Sequence, residues 1–162
     1  MPKTHATDRF TFRLDAIAQT AIAMNEGLFV RETGLSILEL RMLRLIDDAP
    51  GTTFVEISQR IAVERTKVSR ILQKLLAMKL IRRENSTEDA RRFQLYATPV
   101  GQEIRGRSEI LSDRLEQLLL SPLSTAEIAI MNQKLAQILR WIGSPDYAEQ
   151  LAELAAQPVA AP

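Results

Sequence analysis

The sequence predicts a mainly α-helical chain with one small β-hairpin, a compact helical unit carrying further helices at both ends. Three observations predict it. Apolar residues recur at three- and four-residue spacing along most of the 162 residues. Three Ser/Thr-x-x-Glu signatures, Ser36–Glu39, Thr53–Glu56 and Ser124–Glu127, mark helix starts. One stretch, 81–97, departs from helical spacing and returns around a polar loop with alternating apolar residues.

Taken in order, Leu14, Ile17, Ala18, Ala21, Ile22, Leu28 and Phe29 follow helical spacing, and Thr33-Gly34 closes that helix. Met1 to Phe12 is polar and lacks the apolar core of a signal peptide. At Ser36 a serine hydroxyl can accept from the amide three residues on while Glu39 reaches back, with Leu35 and Leu40 at the staple positions. The helix that follows turns Leu38, Met42, Leu45 and Ile46 inward and stops before Pro50-Gly51. A short helix from Phe54 to about Ile61 comes next. An amphipathic helix from about Arg65 to Lys79 then carries Val68, Ile71, Leu72, Leu75 and Leu76 on one stripe.

Ile81 and Arg82 begin a strand, Asn85 to Ala90 form a polar loop, and Phe93, Leu95 and Ala97 alternate on the way back. Thr98-Pro99 starts a long helix, with threonine at the N-cap and proline at the first helical position. Its inner face is Ile104, Leu111, Leu115 and Leu118, and Ser121-Pro122 breaks it. The helix after Ser124 uses Ile128, Met131, Leu135, Ile138, Leu139 and Ile142. A last short helix uses Tyr147, Leu151 and Leu154.

The order helix, short helix, turn, amphipathic helix, hairpin is that of a winged helix-turn-helix, in which the second helix of the pair lies in the DNA major groove. Opposite its apolar stripe, the 65–79 helix carries Arg65, Thr66, Lys67, Ser69, Arg70, Gln73 and Lys74. Such side chains can read base edges: arginine donates bidentately to guanine and glutamine pairs with adenine. An ordinary solvated helix face would look similar, but the neighbouring hairpin tip is also polar and basic, Asp89-Ala90-Arg91-Arg92.

Charge is distributed in the same sense. From Arg60 to Arg107 there are twelve Lys/Arg against five Asp/Glu, a net +7, while the other nine basic and fifteen acidic residues give −6. The near-neutral total of +1 thus conceals a basic block suited to phosphates, or a merely solvated basic face.

From Leu35 to Gly101 the chain resembles the DNA-binding core of the MarR family of regulators. The matching stretches are Val68-Ser69-Arg70, Leu80-Ile81-Arg82-Arg83, Asp89-Ala90-Arg91 and Leu95-Tyr96-Ala97-Thr98-Pro99-Val100-Gly101. The resemblance implies that Arg91 enters a minor groove and that Asp89 orients it, with Arg92 beside them. It departs from the family at Ala62-Val63-Glu64, where many relatives have a glycine; Glu64 is also a poor N-cap and repels phosphate. The resemblance further implies a homodimer built from the N-terminal and the two C-terminal helices, with double-stranded DNA as partner. Two recognition helices about one DNA turn apart would read a pseudo-palindromic operator. A monomer that folds the same helices back on itself is the alternative.

The expected organisation is therefore 1–34 and 101–156 for dimerisation, 35–100 for DNA binding, and 157–162 as a frayed tail. Many relatives bind phenolic or carboxylate effectors in a crevice beside the winged unit. Phe12, Arg13, Phe29, Met42 and Arg44 have the composition and position for such a site, though Phe29 and Met42, each taken singly, read better as core residues. The expectation is a repressor released by a small ligand and confined to the cytoplasm.

Other functions are disfavoured. The only histidine is His5 and there is no cysteine, so neither a histidine base, a thiol switch nor a nitrogen/sulfur metal site is expected. No cofactor motif is present, and no stretch approaches the roughly 20 apolar residues needed to span a bilayer. A protein-interaction module with a basic face and no specific DNA site remains the competing reading.

Overall fold

The computed structural model describes residues 5–61, 63–85 and 93–157. Among them run α1 (Phe10–Thr33), α2 (Ile37–Asp48), β1 (Thr52–Thr53), α3 (Phe54–Arg60) and α4 (Arg65–Ala77). These are followed by β2 (Ile81–Asn85), β3 (Phe93–Ala97), α5 (Pro99–Leu119), α6 (Thr125–Ile142) and α7 (Pro145–Ala155). The chain divides into two compact units, Met1–Glu116 and Gln117–Pro162.

In the first unit α1 begins at Phe10, four residues before its first expected apolar position, and stops at Gly34, whose φ of 73° is left-handed. The Thr33 hydroxyl holds this corner, donating to the Phe29 carbonyl at 2.6 Å and accepting from the Leu35 amide at 3.2 Å. Leu35 enters the core, and Ser36 starts α2 with both halves of the capping box formed. A second carboxylate, Glu26 of α1, accepts from the Ile37 amide at 3.1 Å. Carboxylates at a helix N-terminus answer free amides and the positive end of the dipole.

The core joins Leu35, Leu40, Met42, Leu43 and Ile46 to Ile57 of α3 and to Val68, Ile71, Leu72 and Leu75 of α4. Leu80, Ile81 and Leu95 close it from the sheet side. The α4 stripe is the one expected. That of α2 is rotated: Leu40 and Leu43 are buried, whereas Leu38 and Leu45 are only partly covered. The reason is that α2 touches α1, α4 and β3 together, so its buried arc is set by three neighbours rather than by one apolar stripe.

Strand β1 was not evident in the sequence. It is two threonines long and pairs antiparallel with β3, Thr52 opposite Leu95, giving the order β1-β3-β2. Two polar residues show no alternation, so pattern alone cannot reveal them. The hairpin pairs β2 with β3 antiparallel from Ile81 opposite Ala97 to Asn85 opposite Phe93, so that Asn85, expected in the loop, ends the strand.

Helix α4 ends at Ala77, two residues short of the expected end. The Lys79 amide donates to the Leu76 carbonyl and the Leu80 amide to that of Leu75, which is a Schellman arrangement. Lys79 takes the left-handed position at φ 57°, where glycine is usual. From this corner the chain meets the start of α5. The Thr98 Oγ lies 2.7 Å from the Lys79 carbonyl oxygen and accepts from the Gly101 amide at 3.1 Å. A Cβ on Gly101 would stand 2.0 Å from the Leu80 carbonyl oxygen, so the helix approaches this closely only because residue 101 has none.

Farther along α5, Arg105 reaches Asp47 at 2.5 Å and Asp48 at 2.7 Å, and Gln102 donates to Asp47 at 3.0 Å. Helices α2 and α5 are thus joined by charge as well as by packing.

The second unit is chiefly α6 and α7. Ser124 starts α6 with a full capping box, and Ser144 with Pro145 starts α7, a signal not read in the sequence. Trp141 and Tyr147 meet edge to face, 5.9 Å between centroids. No residue of either helix is buried. Ile128, Met131 and Leu135 are half-covered, while Leu139 and Leu154 are 66% and 64% exposed. None of the described helices is long and apolar enough to cross a membrane.

Candidate nucleic-acid interface

The candidate interface is built on α4. Burial of Val68, Ile71, Leu72 and Leu75 fixes the rotation of the helix about its axis. At about 100° per residue, the directly opposite line carries Thr66, Arg70 and Gln73, spaced i, i+4, i+7. All three are exposed. Lys67 and Lys74 lie to one side of this line and Arg65 and Ser69 to the other; Ser69 is half-covered. Glu64 provides no side-chain cap, as its identity led us to expect. The first amides of α4 are therefore answered only in part, Lys67 and Val68 donating to the Glu64 carbonyl.

Lys74 is not free. Its Nζ lies 2.7 Å from the Glu39 carboxylate, which also accepts from the Ser36 amide at 2.8 Å. Burial pushes the Glu39 carboxyl up, but the Lys74 and Ser36 hydrogen bonds and the lysine charge outweigh it, and the pKa is lowered. Lys74 thus ties the recognition helix to the N-terminus of α2. Sequence spacing could not show this, because the partner lies thirty-five residues away.

On the hairpin, the Arg82 guanidinium stacks over Tyr96 at 4.6 Å and Arg83 over Phe93 at 5.0 Å. Each arginine stands opposite or diagonal to its ring in the β2–β3 register, and each keeps its charge exposed. Arg82 also pairs with Glu84. Asp89, Arg91 and Arg92 lie outside the described residues.

The five residues expected to line an effector site are dispersed. Phe12 is exposed on α1, and Arg13 pairs with Asp8 at 2.8 Å. Phe29 and Met42 are core residues, 7% and 0% exposed. Arg44 alone lines a described cavity, between α2 and the α3–α4 turn.

The family model described as MarR family matches residues 33–92. Uncharacterized HTH-type transcriptional regulators of Staphylococcus aureus are 33% identical over 98 residues, covering 57% of this chain and 67% of theirs. The chain belongs to the MarR family. Its fold is likewise that of Streptococcus pneumoniae FabT solved in complex with DNA, at TM-score 0.66 and 24% identity over 83% of this chain and 96% of that one. A MarR-family protein of Mycobacterium tuberculosis, solved with salicylic acid, superposes at TM-score 0.68 and 18% identity, covering 80% and 96%. This MarR-family chain is accordingly a DNA-binding transcription regulator, and its family is not one of enzymes.

Proposed function

We propose that the chain acts as a homodimeric repressor that reads a pseudo-palindromic operator and is released by a small molecule. The observation that carries the reading is the polar line Thr66–Arg70–Gln73, held outward by a fully buried stripe on the second helix of a helix-turn-helix. In this reading Arg70 and Gln73 contact base edges, while Arg65, Thr66, Lys67 and Ser69 serve the backbone and close approach. Lys74 acts mainly by positioning the helix through Glu39. Asp89, Arg91 and Arg92 supply the minor-groove contact of the wing, on the strength of the family resemblance. The FabT–DNA complex supports the DNA half of the reading and the salicylate complex the effector half.

Dimerisation is supported by the apolar surface of the terminal helices. Phe10, Phe12, Leu14 and Ile17 of α1 and Ile138, Leu139 and Ile142 of α6 are all more than a third exposed. Segments 1–34 and 101–156 supply that interface in our reading, and 35–100 the DNA-binding domain. Fluorescence anisotropy with a duplex from the protein's own promoter, combined with sedimentation of the complex, tests the proposal. It expects two chains per site and loss of the complex to a specific competitor at lower concentration than to a scrambled one. Equal competition by both duplexes would favour a non-specific basic module.

A further inference from the structure

A groove of about 400 Å³ lies between α2 and the α3–α4 turn, within the range of roughly 300–1,000 Å³ common for small-molecule sites. One wall is apolar: Leu38, Ile61 and Val63, which pack against the edge of the core and are only partly buried, line the groove with the half-covered Leu45. The other lining groups are three arginines, Arg41, Arg44 and Arg60, and one acid, Asp48. Asp48 is already engaged, 2.7 Å from Arg105. Among the described residues none of the three arginines makes an ion pair, and the Arg44 Nε is buried without a hydrogen-bond partner. A buried donor left unanswered is costly, and among the described residues only Arg60 of the three guanidiniums has a nearby carboxylate, Glu56, acting on it through charge.

We propose that this groove binds a small phosphomonoester dianion on an apolar body. Guanidinium forks match phosphate oxygens two at a time, and a doubly charged headgroup answers three cations better than a single carboxylate does. The leucines and the Ile61/Val63 pair accept the apolar body. No residue of the terminal helices lines the groove, so the site is separate from the crevice expected beside them. Ile61 and Val63 flank the turn that delivers α4, so a ligand held between that turn and α2 would fix the entry angle of the recognition helix. This second step, an effect on operator binding, rests on the effector reading above; the binding site does not.

Isothermal titration of the full chain with 1-naphthyl phosphate tests the site, with 1-naphthol and inorganic phosphate as controls. One probe per chain is expected, and each control should bind at least tenfold more weakly. The Arg41→Gln/Arg44→Gln double variant should lose tenfold or more in probe affinity, and Arg31→Gln, on α1, should lose none. Should the double variant melt far below the parent, Arg60→Gln alone, at an exposed position, should still cost at least threefold. Unchanged probe affinity in these variants, or inorganic phosphate binding as well as the probe, would overturn the site. So would a parallel loss of promoter affinity without probe, since the arginines would then be DNA contacts. Promoter anisotropy on the same samples separates the two readings. Probe binding that leaves DNA affinity unchanged keeps the site and removes only its regulatory step; absent probe binding with normal DNA binding removes the site alone.

Discussion

Gly101 is where one missing atom sets the geometry of the winged unit. Its place against the Leu80 carbonyl means that any Cβ must push α5 away from the corner that ends α4. Gly101→Ala is therefore expected to lose about 2–4 kcal/mol of stability, at the upper end for a single substitution, in chemical denaturation. A loss below 0.5 kcal/mol would show that the corner yields. The sequence displayed this glycine inside Thr98-Pro99-Val100-Gly101 but not the backbone behind it, because that contact is tertiary. At the wing the position is reversed. Arg91 is identified by resemblance and its setting is outside the described residues. Arg91→Ala should weaken binding to operator and scrambled DNA by similar factors and reduce the salt slope by about one phosphate contact. Salt titrations on both duplexes check this, and an unchanged slope would remove Arg91 from the interface.

Helices α2, α4 and α5 are held in register by two charged joints. In the Asp47 joint, the Arg105 hydrogen bond chiefly lowers the carboxyl pKa below its ordinary 3.8; partial burial opposes this, and Gln102 and the arginine charge add to it. A depressed carboxyl contributes stability that is present above its unfolded pKa and is lost as pH falls through the folded one. Asp47→Asn should thus cost on the order of 1–2 kcal/mol at pH 7, and the deficit should shrink as pH falls below the ordinary carboxyl value of 3.8 towards the lowered folded one. Urea denaturation of both proteins at a series of pH values from 7 downwards through the carboxyl range measures it; a deficit that does not change with pH would assign the effect to packing. At this scale much was legible in the sequence. The three capping boxes formed where the spacing placed them, and the α4 stripe was right. The α2 stripe was right at Met42 and Ile46 but left out Leu43 and set Leu38 and Leu45 deeper than they lie, because burial on several sides blurs a one-face pattern, and β1 was too short and too polar to register. The Arg105 and Lys74 joints link residues more than thirty apart, a separation that spacing rules do not reach.

For the whole molecule, we propose that a second copy covers the apolar stripes of α1, α6 and α7. The sequence showed those stripes but could not choose between self-burial and pairing, because a stripe does not say what covers it. A chain ending at Pro122 should be monomeric, aggregated or unfolded in sedimentation, because the removed apolar area at about 25 cal/mol per Å² exceeds the marginal stability of such a domain. A soluble, dimeric truncate would relocate the interface. The central claim, that α4 reads sequence through Arg70 and Gln73, is tested most directly by anisotropy titration of wild type, Arg70→Ala and Gln73→Ala against operator and scrambled duplexes at fixed salt. Each variant should lose about 1–3 kcal/mol on the operator. Gln73→Ala should lose almost nothing on scrambled DNA, and Arg70→Ala clearly less there than on the operator. Equal losses on both duplexes, or none on either, would contradict it.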